Sequence, residues 1–331
     1  MFVAAYDDRH VLPDYFIPFC RNASAFCDLH LITPAKKLPE GTKLDSGSSE
    51  LKFQLIDPAS LPAYQYVKQL FDGMFVNYST NHDAFERACF HRWFALNAST
   101  TFLSSNDYIC LLDTDFLIGM SPSEVLSQCL SRAENKDIKF VAEWDDAHTV
   151  AIGPEITIMT KSFLYGFCEY LLTTYFSPSK KSQLLREYFE RIGNGLDGGI
   201  CDMRALAAYS KLNHCGSVFN LRKLADPQII GNFNAFLDTE AGKTGNWKIL
   251  LQANRQTLQV PSESKQLIGI HFQGSAKAYM LLACVMNGMD GEITRDICTD
   301  HLKLLARKME VNQTLIKRAA KKLKRGVGHF F

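Results

Sequence analysis

No run in this chain of 331 residues approaches the roughly 18 consecutive apolar residues of a membrane-spanning helix. Its first residues, MFVAAYDD, lack a basic stretch followed by a long apolar one, so no secretory signal is expected. Charge of neither sign is in excess, with 36 basic side chains facing 35 acidic ones. That balance gives no global reason for a nucleic-acid partner, and 11% aromatic residues with few charge blocks argue against a disordered chain. Ten cysteines are present, yet there is no CxxC and no close metal-ligand spacing. Several, such as Cys110 in YICLLD and Cys284 in LLACVM, sit inside apolar runs as small core residues. A reducing compartment is the better reading, with the cytoplasm as the expected location. There is also no internal repeat, which sets solenoids and propellers aside.

What is present is an ordinary globular composition, 47% hydrophobic, able to bury a sizeable core. The length fits two average domains or one extended α/β domain. FVAAYD reads as a buried strand, Leu12 to Phe26 as a helix and CDLHLIT as a second strand, a β-α-β opening. Pro34 to Ser60, rich in Pro, Gly, Ser and Lys, reads as a long surface excursion. Helices are expected over Ala63 to Phe71 and Asp83 to Asn97, and Tyr108 to Leu112 is a continuous apolar run suited to a central strand covered on both faces. Ser121, Pro122 and Glu124 form an N-cap, a first-turn proline and a capping-box glutamate, which predicts a helix to about Arg132. IKFVAEW is a further strand, and Thr157 to Tyr175 and Gln183 to Arg191 read as helices, the first with a strand-like start. The turn GNGLDGG precedes a helix capped by Asp202, LIGIHF is another strand, and the last 40 or so residues read as helical. Strands alternating with helices, with acidic or imidazole groups at strand ends, predict an open α/β sheet whose site lies along that edge.

Asp113-Thr114-Asp115 leaves the apolar run directly, so two hard oxygen ligands suited to Mg²⁺ or Mn²⁺ stand at the sheet's exit. A turn with solvated aspartates accounts for the bare triplet equally well, since D-x-D arises by chance about once in a chain of this size. Its position after YICLL favours the metal. His271-Phe272-Gln273-Gly274-Ser275-Ala276-Lys277 also follows a strand directly, and by composition H-x-x-G-x-x-K should occur in only a few per cent, roughly, of such chains. An imidazole nitrogen can complete a site begun by two carboxylates, Gly274 lets backbone approach a ligand, and Lys277 is a cation suited to phosphate oxygens.

The order of strand plus Asp113-Thr114-Asp115, then Asp202-Met203, then HFQGSAK resembles GT-A glycosyltransferases of family 8, the glycogenin and bacterial lipopolysaccharide sugar transferase kind. The resemblance runs from Phe2 to about Lys277. It implies a Rossmann-like open mixed sheet flanked by helices, a single nucleotide-sugar-binding domain over 1–280 and a helical C-terminal extension over 281–331. It also implies Mn²⁺ (or Mg²⁺) on Asp113, Asp115 and His271, with Lys277 on the donor diphosphate and Gly274 against the phosphates. Tyr6, Asp7 and Asp8 become contacts to base and ribose, and Arg92 in HRWFAL the donor-binding arginine. A core-facing Trp93 beside a solvated Arg92 is the competing reading of that helix. Asp202 falls where the family places an aspartate near the reacting sugar, either orienting hydroxyls or shielding charge at the anomeric carbon. Met203 departs from the glutamine expected beside it, and a plain N-cap role for Asp202 stays open. Asp145, Asp146 and Asp197 are adequately read as solvated turn carboxylates. The implied reaction moves a sugar, with retention, from a nucleotide diphosphate sugar, expected to be a UDP-sugar, to a saccharide, lipid-linked or protein acceptor.

Two other readings remain. LLDTDFL is similar to the nucleophile and acid pair of haloacid dehalogenase phosphohydrolases, although Leu117 stands where a threonine or valine is expected and His271 to Lys277 would go unused. A catalytically silent nucleotide-binding protein is the other. Finally, Arg307 to Arg325 holds eight basic residues against the single Glu310, with Leu315, Ala319 and Leu323 at four-residue spacing. Such a helix could lie peripherally on an anionic membrane, or pack on the domain as a solvated helix.

Overall fold

The computed structural model describes residues 1–13, 15–36, 53–133, 137–144, 152–195, 199–213, 217–224, 228–230, 248–252, 255–260, 263–273 and 291–294, together with Phe233, Phe236, Thr239, Lys277 and Met280. The strands are β1 (Phe2–Tyr6), β2 (Leu29–Ile32), β3 (Phe53–Ile56), β4 (Tyr108–Leu112), β5 (Phe116–Ile118), β6 (Phe140–Glu143), β7 (Gly153–Thr160), β8 (Val218–Asn220), β9 (Gln228–Ile230), β10 (Lys248–Gln252), β11 (Arg255–Val260), β12 (Glu263–His271) and β13 (Gly291–Thr294). The helices are α1 (Phe16–Phe26), α2 (Pro62–Met74), α3 (Asp83–Ser99), α4 (Pro122–Arg132), α5 (Lys161–Phe176), α6 (Pro178–Gly193) and α7 (Asp202–Asn213). The expected mixed α/β architecture is present.

Seven strands form the main sheet in the order β3-β2-β1-β4-β7-β6-β8. Its strands are parallel except β7, which runs against both β4 and β6. The strands β1 and β4 are buried on both faces, which is why they read as continuous apolar runs. Val3, Ala5, Cys110 and Leu112 join a core with α1, α4 and the second sheet, whereas Phe2, Ala4, Ile109 and Leu111 join another with α2, α3, α5 and α7. Trp93 and Tyr175 are fully buried in the latter, so truncating either would be expected to cost about 3–5 kcal/mol by analogy with large aromatic core deletions.

The second sheet runs β13-β10-β11-β12-β5, with β9 beside β12. It determines the site, because β5 follows β4 after three residues and pairs antiparallel with β12 in the register His271↔Phe116, Ile270↔Leu117, Gly269↔Ile118. Asp113-Thr114-Asp115 is therefore the crossing between the two sheets, and His271 is delivered to its side from 156 residues away. The Phe272 amide donates to the Asp115 carbonyl at 2.9 Å and fixes the register. Gly269 permits this pairing, since a Cβ there would stand 2.2 Å from Phe116 Cζ and 2.6 Å from the Leu117 carbonyl oxygen. On the outer side, Asn22 of α1 donates to the Ile118 carbonyl at 2.9 Å and accepts from the Ile118 amide, pinning β5 to α1.

Several expectations need correction. The excursion from Pro34 to Ser60 contains β3, an edge strand parallel to β2, whose half-exposed residues left a weak signal. The helix expected from Leu12 starts at Phe16, and the one expected from Thr157 starts at Lys161 after β7. The polar segment after Asp238 carries β10 and β11, and Gly291–Thr294, expected to be helical with the rest of the C-terminal segment, is a strand paired with β10. The basic segment Arg307 to Arg325 and the turn residues Asp145, Asp146 and Asp197 lie outside the described residues. Among the described residues, no helix is long and apolar enough to cross a membrane.

Candidate active site

The carboxyl ends of β1 and β4, the end of β12 and the starts of α3 and α7 enclose a cleft of about 760 Å³. Tyr6, Asp7, Asp8, Arg92, Asp113, Asp115, Asp202, His271 and Lys277 all line it. Gly274, expected against the phosphates, lies outside the described residues.

At its floor, the ligand atoms of Asp113, Asp115 and His271 lie within 4.8 Å of one another. His271 Nε2 is 3.1 Å from Asp115 Oδ1 and 3.8 Å from Asp113 Oδ2. Atoms held about 2.1 Å from a divalent ion stand about 3 Å apart in neighbouring positions, so the donor set fits an oxygen-preferring cation such as Mg²⁺ or Mn²⁺. Lys277 Nζ is 2.9 Å from Asp115 Oδ2 and 4.8 Å above the centre of the Tyr15 ring. Its ammonium therefore stands on the rim of the carboxylate pair, within reach of an anion placed there.

The charges are interdependent. Burial, helped by the repulsion of Asp115, pushes the Asp113 carboxyl up to about 6 against the opposing pull of Arg92. Burial would also raise Asp115, but the hydrogen bond and charge of His271, with Lys277, outweigh it and bring it down to about 2. For His271 burial favours the neutral ring, yet its hydrogen bonds to Asp115 and Glu155 and the nearby charges win and lift it to about 10. In the absence of a cation the imidazole thus keeps a proton that a metal must displace.

The second wall is built by Arg92. Its Nη1 donates to Asp113 Oδ1 at 2.8 Å and its Nε to Asp202 Oδ2 at 3.0 Å, with Nη2 on the same oxygen. Trp93 Nε1 donates there too, at 2.9 Å. Arg92 is only 9% exposed, so it is not the solvated arginine of the competing reading, while Trp93 does face the core. Asp202 is the first residue of α7 and 2% exposed, with its carboxylate turned to α3. Met203 beside it lines the cleft as a thioether.

At the β1 end, Asp7 is held by Arg9, whose Nε donates at 2.8 Å and whose backbone amide donates at 3.0 Å. The Tyr6 hydroxyl is 3.4 Å from that of Tyr64, and Asp8 is exposed. Four lining or bracing residues escaped the sequence reading: Tyr15, Arg9, Glu86 and Glu155. Glu86 is buried and accepts from Ser79 Oγ at 2.8 Å and Asn81 Nδ2 at 2.6 Å. Glu155 lies 3.2 Å from His271 Nδ1 through Oε1. Glu155 reaches Asp113 because β7 runs antiparallel to β4 and so enters the sheet at the edge where β4 leaves it.

No family model and no curated protein matches the chain. The chain resembles solved glycosyltransferases. The apo structure of mouse xyloside xylosyltransferase 1 matches over 81% of this chain and 97% of its own, at 11% identity and a TM-score of 0.47. The galactosyltransferase LgtC, solved with donor and acceptor sugar analogues, matches over 96% and 100%, at 13% identity and 0.39. A glycosyltransferase involved in glycosylating a viral major capsid matches over 87% and 100%, at 10% and 0.34. At such distances the chemistry has to be read from this chain's own side chains.

Proposed function

We propose that this chain is a metal-dependent glycosyltransferase, moving a sugar from a nucleoside diphosphate sugar, a UDP-sugar by expectation, to a saccharide, lipid-linked or protein acceptor. The observation that carries the reading is the convergence of Asp113, Asp115 and His271 with Lys277 on the floor of one cleft. Two carboxylates and an imidazole are donors for a divalent cation, and a fixed ammonium beside them suits a diphosphate. When bound, Mn²⁺ or Mg²⁺ would supply Lewis-acid neutralisation of the departing diphosphate.

The chain's own residues supply the rest. Lys277 offers a cation where negative charge grows on the leaving group, pre-oriented by Asp115 and Tyr15. Arg92 holds Asp113 and Asp202 at fixed separation, so the anion at the start of α7 lines the same cleft. An anion there would shield positive charge developing at the anomeric carbon, or orient donor and acceptor hydroxyls. Tyr6, Asp7 and Asp8 suit the base and ribose, since they line the same cleft beyond the floor. Retention of configuration follows from the family resemblance and belongs to the same proposal.

Only Asp113 and Asp115 serve the phosphohydrolase reading, which leaves His271 and Lys277 without a task. The proposal extends to a cytoplasmic enzyme touching anionic membrane through the basic segment Arg307 to Arg325. Removing that segment should then abolish binding to anionic vesicles. The functional reading itself is tested by thermal shift: UDP with Mn²⁺ should raise the melting temperature, and UDP in EDTA should not. A rise with phosphate esters but not UDP would contradict it.

A further inference from the structure

Among the groups around the metal centre, one buried carboxylate has no role in the scheme above. We propose that Glu155 is a positioning residue, holding the His271 ring so that Nε2 faces Asp113 and Asp115. The inference rests on the metal-centre reading. Opposite walls engage the two ring nitrogens: Nδ1 lies 3.2 Å from Glu155 Oε1, and Nε2 lies 3.1 Å from Asp115 Oδ1. A carboxylate only accepts hydrogen bonds, so without an ion both ring nitrogens carry hydrogen, and when the one on Nε2 gives way to an ion Glu155 keeps the other on Nδ1. The neutral imidazole then has its lone pair on Nε2, toward the carboxylate pair, which is the tautomer a divalent ion requires.

Two further observations support a built seat. The Glu155 backbone carbonyl accepts the Asp113 amide at 3.1 Å, so one residue braces two of the three candidate ligands, one through its main chain and one through its side chain. The carboxylate also folds back over Gly153, where a Cβ would stand 2.2 Å from Glu155 Oε2, so a side chain at position 153 would push the carboxylate from its place. A carboxylate behind a metal-binding histidine typically changes affinity by about 10–100-fold.

The test uses the full chain with Mn²⁺, free Mn²⁺ being read by its electron paramagnetic resonance signal, and with diamagnetic Mg²⁺ for the ring. Glu155→Ala should weaken Mn²⁺ binding by about 10–100-fold, and in the Mg²⁺-loaded chain the ¹⁵N shifts of His271 should lose the Nδ1–H tautomer. Glu155→Gln, whose amide oxygen can still accept from Nδ1–H, should recover most of the affinity and the tautomer signature. Gly153→Ala, which crowds the carboxylate from its seat, should weaken binding with Glu155 still present and carries the test if Glu155→Ala does not fold. Wild-type affinity in Glu155→Ala or Gly153→Ala would overturn the inference while leaving the metal centre intact. So would Glu155→Gln binding as weakly as Glu155→Ala, since charge alone would then be at work. Failure of the wild-type chain to bind Mn²⁺ would overturn the metal-centre reading and this inference with it.

Discussion

The Arg92 guanidinium ties the first carboxylate of Asp113-Thr114-Asp115 to the first residue of a helix, with Nη1 2.8 Å from Asp113 Oδ1 and Nε 3.0 Å from Asp202 Oδ2. One side chain thus sets the distance between the two sides of the cleft. Removing it leaves the buried Asp202 carboxylate resting on the Trp93 indole N–H. Arg92→Ala is expected to destabilise the fold by roughly 3–5 kcal/mol, the scale for breaking a buried pair at one partner. Arg92→Lys keeps the charge but cannot fork to both carboxylates, so it should retain much of the stability and lose turnover. Urea unfolding alongside activity separates the two effects, and an Arg92→Lys enzyme with full activity would contradict the bridging role.

Asp113→Ala and His271→Ala each remove one of three ligand atoms. Both are expected to lose Mn²⁺ binding, followed by titration with free Mn²⁺, and to lose metal-dependent turnover. Full turnover in either variant would exclude the assignment.

Metal binding should also depend on pH, with a definite sign. Burial holds a proton on Asp113 up to about 6, and hydrogen bonds to Asp115 and Glu155, overcoming burial, hold one on His271 up to about 10. Both atoms must be proton-free to ligate, so binding releases protons and tightens as pH rises. Where one proton is displaced per ion, affinity should increase by up to about tenfold per pH unit. Calorimetry in buffers of different ionisation enthalpy counts the released protons, and an affinity flat from mildly acid to mildly alkaline pH would contradict this electrostatic picture.

Gly269→Ala would place a methyl against Phe116 and the Leu117 carbonyl, where backbone cannot yield cheaply. A loss of about 1–3 kcal/mol is expected from overpacking, together with weaker Mn²⁺ binding as β12 shifts and carries His271 with it. Denaturant midpoints compared with Mn²⁺ titration check both.

Asp113 and His271 were legible in the sequence because each stands at the end of a buried strand, where a polar group after an apolar run stands out, and Asp115 because it follows Asp113 by two residues before β5. The helix of Asp202 was legible through its preceding glycine turn. Tyr15 and Glu155 were not, for a physical reason: Tyr15 acts by packing under Lys277, 262 positions away, and Glu155 by facing His271, 116 away, and neither contact leaves a local pattern. The strands β10 and β11 hid because KILLQ and RQTLQV mix polar and apolar residues without a sustained run. At the edge of the main sheet, β3 hid behind the polar segment that precedes it.

The central claim is most directly tested by incubating the purified chain with a UDP-sugar and measuring UDP release with Mn²⁺ and with EDTA. The account predicts release with Mn²⁺, none in EDTA, and none from Asp113→Ala under either condition. Release unaffected by EDTA, or cleavage of p-nitrophenyl phosphate in place of the UDP-sugar, would contradict it.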